Sequence, residues 1–233
     1  MKNQLRTLLA ISLGIVALAQ PLSAQVPPPA ASPVLSTPAV TDADKEAFYA
    51  TTIENRVTDI LKALNLSDPD KAQTVHDLLV AHYHDLRVRD AAIDTRLKVD
   101  GKEVNYENRA AQLAVQSKPL HDKFFTALAD DLTPDQIEKV KDVMTYNKVK
   151  VTYDAYCQIV PGLTDAEKAK ILDLLKAARE EAVDGGSAPE KSAIFQKYKD
   201  QINAYLDANG HDTAKALKDW ADAHPNTNNP AAK

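Results

Sequence analysis

The chain has 233 residues with 28 Lys and Arg against 33 Asp and Glu, a formal net charge of −5. That balance excludes an electrostatic footprint for nucleic acid, whose binding rests on basic side chains neutralising phosphates, and it leaves no polybasic segment for anionic lipid. Cys157 is the single cysteine, so no intramolecular disulfide can form and stability has to come from burial.

The first residues read as a secretory signal. Lys2 and Arg6 precede an apolar run from Leu8 to Ala19, and Leu22-Ser23-Ala24 offers a cleavage site before Gln25, with Ala17-Leu18-Ala19 as an earlier alternative. The run falls short of the about 20 apolar residues of a membrane span, and no later segment approaches that length. No cysteine follows it to carry a lipid. Loss of residues 1–24, which include two cations and no anion, takes the net charge from −5 to −7, and the mature chain is expected to be periplasmic or secreted. Residues 25–40 hold Pro27, Pro28, Pro29, Pro33 and Pro38, too many for a helix or a central strand, and read as a linker.

The folded part is expected over residues 41–224, long enough for one hydrophobic core. Four helix starts share one logic: Ser67-Asp68-Pro69-Asp70, Thr133-Pro134-Asp135-Gln136, Thr164-Asp165-Ala166-Glu167 and Ser187-Ala188-Pro189-Glu190. In each, a hydroxyl accepts from early amides and an acidic or amide side chain follows three positions on; the last three are full capping boxes and the one ending in Asp70 is weaker. Apolar residues then recur at helical spacing, as in Val75, Leu78, Leu79, Tyr83 and Leu86, in Ile171, Leu172 and Leu175, and in Ile194, Phe195, Tyr198 and Ile202. Further helices are expected at about 42–64, 104–130, 135–145, 152–160 and 212–223. Asp100-Gly101, Gly185-Gly186 and Asn209-Gly210 stand where helices should stop, because glycine takes the left-handed cap conformation without strain. Residues 225–233, with Pro225, Pro230 and three asparagines, read as a disordered tail.

Lys148-Val149-Lys150-Val151-Thr152-Tyr153 alternates like a strand. A lone strand has no partner in a helical chain, so the segment is expected to be an irregular extended connector, with a short hairpin edge as the alternative. Cys157 is read as a small core residue. Leu66 to Ala72 is echoed by Leu163 to Ala169, which convergent capping chemistry explains as well as duplication does. The expected fold is an all-α single-domain bundle of about six to eight helices with that one irregular connector.

His76, His82 and His84 point toward three faces of one helix at about 100° per residue, the wrong spacing for metal ligands, so no metal is expected. Paired acids such as Asp130-Asp131 and Glu180-Glu181 read as solvated surface, and no nucleophile elbow, zinc-protease motif, phosphate loop or dinucleotide fingerprint occurs. No catalytic residue and no cofactor is assigned. Two stretches are richer than packing requires. One carries Tyr146, Tyr153 and Tyr156; the other sets Arg179, Glu180 and Asp184 before the double glycine and Lys197 and Asn203 after it. Aromatic faces beside forked polar groups suit a polyhydroxylated ligand, so these eight residues are the candidate carbohydrate site. The alternative is that the tyrosines anchor the connector and the charges are exposed caps.

The same stretches carry a resemblance. Met144-Thr145-Tyr146, Val151-Thr152-Tyr153 with Tyr156, Pro161 before Leu163-Thr164, Ala178-Arg179-Glu180, and Lys197-Tyr198-Lys199 with Ile202-Asn203 resemble domain-of-unknown-function family 3826, exported bacterial proteins labelled sugar-binding. Arg56 with Ile60 and Tyr83 with Leu86 add to it. Asn147 stands where the family pattern has glycine, and asparagine tolerates the left-handed backbone such a turn needs. The resemblance implies a carbohydrate- or glycan-binding accessory protein and transfers no catalytic residue. Leu132-Thr133-Pro134-Asp135-Gln136 also resembles the signature of small periplasmic stress chaperones, which implies, as the alternative, a chaperone or adaptor with unfolded-protein clients.

Overall fold

Local capping chemistry sets where the helices begin. In the computed structural model, which describes residues 41–98 and 106–225, eight helices follow one another: α1 (Asp42–Leu64), α2 (Pro69–Leu97), α3 (Tyr106–Ala129), α4 (Pro134–Met144), α5 (Lys148–Ile159), α6 (Asp165–Ala182), α7 (Ala188–Ala208) and α8 (Thr213–Ala223). Thr133 with Gln136, Thr164 with Glu167 and Ser187 with Glu190 close reciprocal capping boxes, and Thr41 with Asp44 forms another at α1. At the first of the four expected starts the cap is Asp68, not Ser67; its carboxylate accepts from the amides of Asp70 and Lys71. The signal at 1–24, the linker at 25–40, the expected stop at Asp100-Gly101 and the tail from 226 onward lie outside the described residues.

Two apolar clusters hold the bundle. Ile53, Val57, Ile60, Val75, Leu79, Leu128 and Val140 form the first, where α1, α2, α3 and α4 pack. Ile171, Leu175, Ala178, Phe195, Ile202 and Leu206 centre the second, on α6 and α7 with α5 against them. Val183, just past α6, packs into the first cluster, so the α6–α7 turn is the point where the halves meet. The fold is an all-α single-domain bundle, and no strand occurs among the described residues. No helix there is long and apolar enough to cross a membrane.

Three local expectations change. The segment from Lys148 to Tyr153 is the first half of α5, not an extended connector. Its alternation is also compatible with helical spacing: Val149, Thr152 and Ala155 are buried on one face while Val151 is exposed, so tertiary burial decides between the two periods. Cys157 is exposed and free, because it lies roughly 140° around α5 from that buried face. The double glycine does not supply a left-handed cap; α6 ends at Ala182 with Val183 still right-handed. Gly186 is needed for close approach instead, since a Cβ there would sit 1.7 Å from Asp90 Oδ2. Gly210, at φ +94, does follow α7 in the expected left-handed state.

Between α4 and α5 the chain reverses through two consecutive left-handed residues, Tyr146 at φ 59 and Asn147 at φ 53. Asn147 tolerates this. An aromatic residue there costs about 1–2 kcal/mol, and the surroundings hold it: the Tyr146 and Asn147 amides donate to the carbonyls of Val143 and Asp142.

Candidate functional site

A seam of buried polar side chains runs where the two clusters meet. From α2 come His82 and Arg89, from the α6–α7 turn Asp184, and from α7 Lys191, each less than a tenth exposed. Burial is costly for such groups unless they are paired, so their partners define the site.

Asp184 is the hub. His121, on α3, places Nδ1 at 2.8 Å from Asp184 Oδ2. His82 Nε2 lies 3.3 Å from Oδ1 without hydrogen-bonding alignment, so that contact is electrostatic and neither atom has a hydrogen-bond partner. Burial pushes the Asp184 carboxyl up, but the His121 hydrogen bond and the two adjacent imidazoles outweigh it and hold the group at about 2. Asp184 is therefore a carboxylate and can only accept, which places a proton on His121 Nδ1. Its Nε2 has no hydrogen-bond partner among the described residues. His82, stacked on Phe124 with centroids 3.9 Å apart, is pushed down by burial, against the pull of Asp184.

Arg89 fastens the seam. Its Nε and Nη2 donate to Asp90 Oδ1, Nη1 donates to Ser117 Oγ, and Nη2 also donates to the Asp184 carbonyl. Lys191 donates from Nζ to the carbonyls of Met144, at 3.0 Å, and Val183, at 2.7 Å. It has no carboxylate within ion-pair distance among the described residues, and burial lowers its ammonium to about 7, with Asp184 opposing and Arg56 and Arg89 adding to the shift.

Among the described residues, three hollows bear on the candidate residues. The largest, about 590 Å³, is a cleft of α3, α6 and α7 lined by the apolar Ala110, Leu113, Ala114 and Ile194 and by Arg109, His121, Glu180 and Glu190. Most of its charges are already paired: Arg109 with Asp94 and Glu190, Glu180 with Lys141, and Lys118 with Asp122. His121 Nε2 is a polar atom that remains for a ligand. A second hollow of about 320 Å³ is lined by α5, α7 and α8, with Tyr156 and Asn203 in its wall. The third, about 70 Å³, lies among Arg56, Tyr83, Met144, Tyr146 and Lys191.

The family model described as Protein of unknown function (DUF3826) matches residues 50–224. The chain belongs to that family. No curated protein matches it. Five of the positions through which the sequence resembles DUF3826, namely Arg56, Ile60, Tyr83, Met144 and Tyr146, come together around the smallest hollow.

The eight sequence-predicted site residues of this DUF3826 chain do not share one hollow. Tyr146, 44% exposed, borders the smallest. Tyr156 donates to Asn203 Oδ1 at 2.7 Å in the second, and burial raises its phenol well above its ordinary range. Tyr153 packs against the second apolar cluster. Glu180 and Asp184 line the large cleft. Arg179 is buried between Glu138 and Asp142, so its charge is spent on joining α6 to α4. Lys197 pairs with Glu181 on the surface. Sequence reasoning missed His82, Arg89, His121 and Lys191. Their sole sequence signal is a polar residue on an apolar helical face, as His82 is between Leu79 and Leu86.

Proposed function

We propose that this DUF3826 protein is an exported carbohydrate-binding accessory protein, and that its ligand occupies the cleft of α3, α6 and α7. One observation carries the reading: a cleft of about 590 Å³ combines the apolar side chains of Ala110, Leu113, Ala114 and Ile194 with His121, whose orientation is fixed by a buried carboxylate. Ligand clefts run roughly 300–1,000 Å³ with few polar groups held in fixed directions. A sugar ring offers both an apolar face and hydroxyls; Nε2 hydrogen-bonds to a hydroxyl, and Ala114, Leu113 and Ile194 cover C–H patches. Binding is favoured over glycoside hydrolysis because a general acid needs a raised carboxyl pKa, and Asp184 is shifted the other way. Export rests on the N-terminal residues, with Lys2 and Arg6 ahead of the apolar run.

The test is calorimetric titration of the mature chain with plant and bacterial oligosaccharides, alongside His121→Ala. Saturable binding that weakens at least about tenfold in the variant, roughly 1.4 kcal/mol, is the expected result. A folded circular-dichroism spectrum with no heat from any oligosaccharide would refute the proposal.

A further inference from the structure

The smallest hollow lies apart from the cleft residues. It is bordered by α1 through Arg56, Asp59 and Ile60, by α2 through Tyr83, by the α4–α5 turn through Met144 and Tyr146, and by α7 through Lys191. Hydrogen-bond donors predominate there, and Asp59 is the one carboxylate in the lining among the described residues. Arg56 meets the Tyr83 ring at 5.7 Å but has no ion pair among the described residues. The hydroxyls of Tyr83 and Tyr146 likewise have no hydrogen-bond partner there. Lys191, 3% exposed, gives two of its N–H groups to main-chain carbonyls and has no acceptor for the third when protonated.

Burying a cation beside a second cation, with phenol donors next to both, is unfavourable for the empty protein. An anion in the hollow would meet all four groups at once. We propose that this hollow is a binding site for a carboxylate, held by the Arg56 guanidinium and the Lys191 ammonium with the Tyr83 and Tyr146 hydroxyls completing the shell.

Size and charge select the class. A volume of about 70 Å³ holds roughly five water-sized centres at about 15 Å³ each, enough for a carboxylate and a short stem. Asp59 in the lining offsets one of the two cations and Asp184 lies beside Lys191, so the net positive charge presented is at most about +1, suited to a monoanion rather than to a dianionic phosphate or sulfate. A planar guanidinium fork matches a planar carboxylate. The left-handed backbone of Tyr146 puts a half-exposed ring at the opening, where strain is maintained for position rather than packing.

Proton linkage follows from the same contacts. The charged and titratable groups around Lys191 are Asp184 from the α6–α7 turn, Arg56 and Asp59 from α1, His82, Tyr83 and Arg89 from α2, and Tyr146 from the α4–α5 turn. A bound anion adds a second negative neighbour to Asp184 and favours the protonated amine, so the carboxylate is taken up together with a proton just above neutral pH.

The experiment titrates the full chain with sodium acetate at constant ionic strength, and with phosphate and sulfate in parallel. Saturable acetate binding in the range of about 1 mM is expected, weakened at least about tenfold in Arg56→Gln and clearly in Tyr146→Phe. His121→Ala should leave it unchanged, which separates this site from the oligosaccharide cleft. In two buffers of different ionisation heat, binding at slightly alkaline pH should show proton uptake, abolished in Lys191→Met if circular dichroism confirms that variant folded. Lack of saturable acetate binding, equal binding by Arg56→Gln, tighter binding of phosphate or sulfate, or acetate binding without proton uptake would each overturn the proposal.

Discussion

Replacing Lys191 by methionine isolates the one buried ammonium in the seam, and its effect should depend on pH in a defined direction. An ordinary lysine titrates at 10.5, whereas burial brings Lys191 to about 7 in the folded chain, with Asp184 partly restoring it and Arg56 and Arg89 depressing it further. Below pH 7 both folded and unfolded chains carry the proton, and the folded chain bears the full burden, on the order of 5 kcal/mol. Between about pH 7 and 10.5 the unfolded chain keeps a proton that the folded chain has released, so stability rises with pH, at up to about 1.4 kcal/mol per unit. From about pH 7 to about pH 9 the gain is roughly 2 kcal/mol, because the folded group is still half protonated at the lower end. Urea unfolding of wild type and Lys191→Met at both pH values measures it, since every other lysine cancels in the difference. The stability of wild type relative to the variant should grow by about 2 kcal/mol over that interval. Two stability curves that stay parallel across it would refute a depressed lysine and the desolvation reasoning behind it. The absolute offset is a separate quantity, for methionine also strips the carbonyls of Met144 and Val183 of their donor.

Asp184 should act on the acid side. Its folded value of about 2 lies below the ordinary 3.8, so it contributes about 2 kcal/mol above pH 3.8, and about half of that is lost by pH 3. Asp184→Asn should be less stable than wild type near pH 5 by about that amount, with the gap narrowing toward pH 3; a constant gap in urea unfolding contradicts the assignment. Gly186→Ala should destabilise by about 2–4 kcal/mol, because Asp90, pinned by Arg89, cannot yield to a Cβ at 1.7 Å. A thermal midpoint lowered by roughly 5–15 °C is expected, and an unchanged midpoint would show that the turn relaxes freely.

Helix starts were legible because their chemistry is local: Thr133 and Gln136, or Ser187 and Glu190, are three residues apart and hydrogen-bond each other wherever the helix later packs. The segment from Lys148 to Tyr153 was not, since its short pattern fits two periods and burial of Val149, Thr152 and Ala155 makes the choice. Side-chain clusters are harder still. His121 and Asp184 are 63 positions apart, Arg89 and the Asp184 carbonyl 95, and Lys191 and the Met144 carbonyl 47. Each residue looks ordinary in its own neighbourhood, so the grouping around the double glycine found Asp184 and Glu180 and none of the partners of Asp184. Arg56 and Tyr83 stood out through family resemblance alone, and their meeting with Tyr146 is a product of how α1, α2 and the α4–α5 turn pack.

The seam sets packing and binding apart. Replaced as a set together with Asp184 and Asp90, the seam residues would leave stability equal or higher by about 1–4 kcal/mol, whereas loss of one partner alone strands the others. Helix caps and the two cores therefore do not call for these residues. What the residues do share is placement: Asp184 fixes His121 toward the large cleft on one side and stands beside Lys191 toward the small hollow on the other.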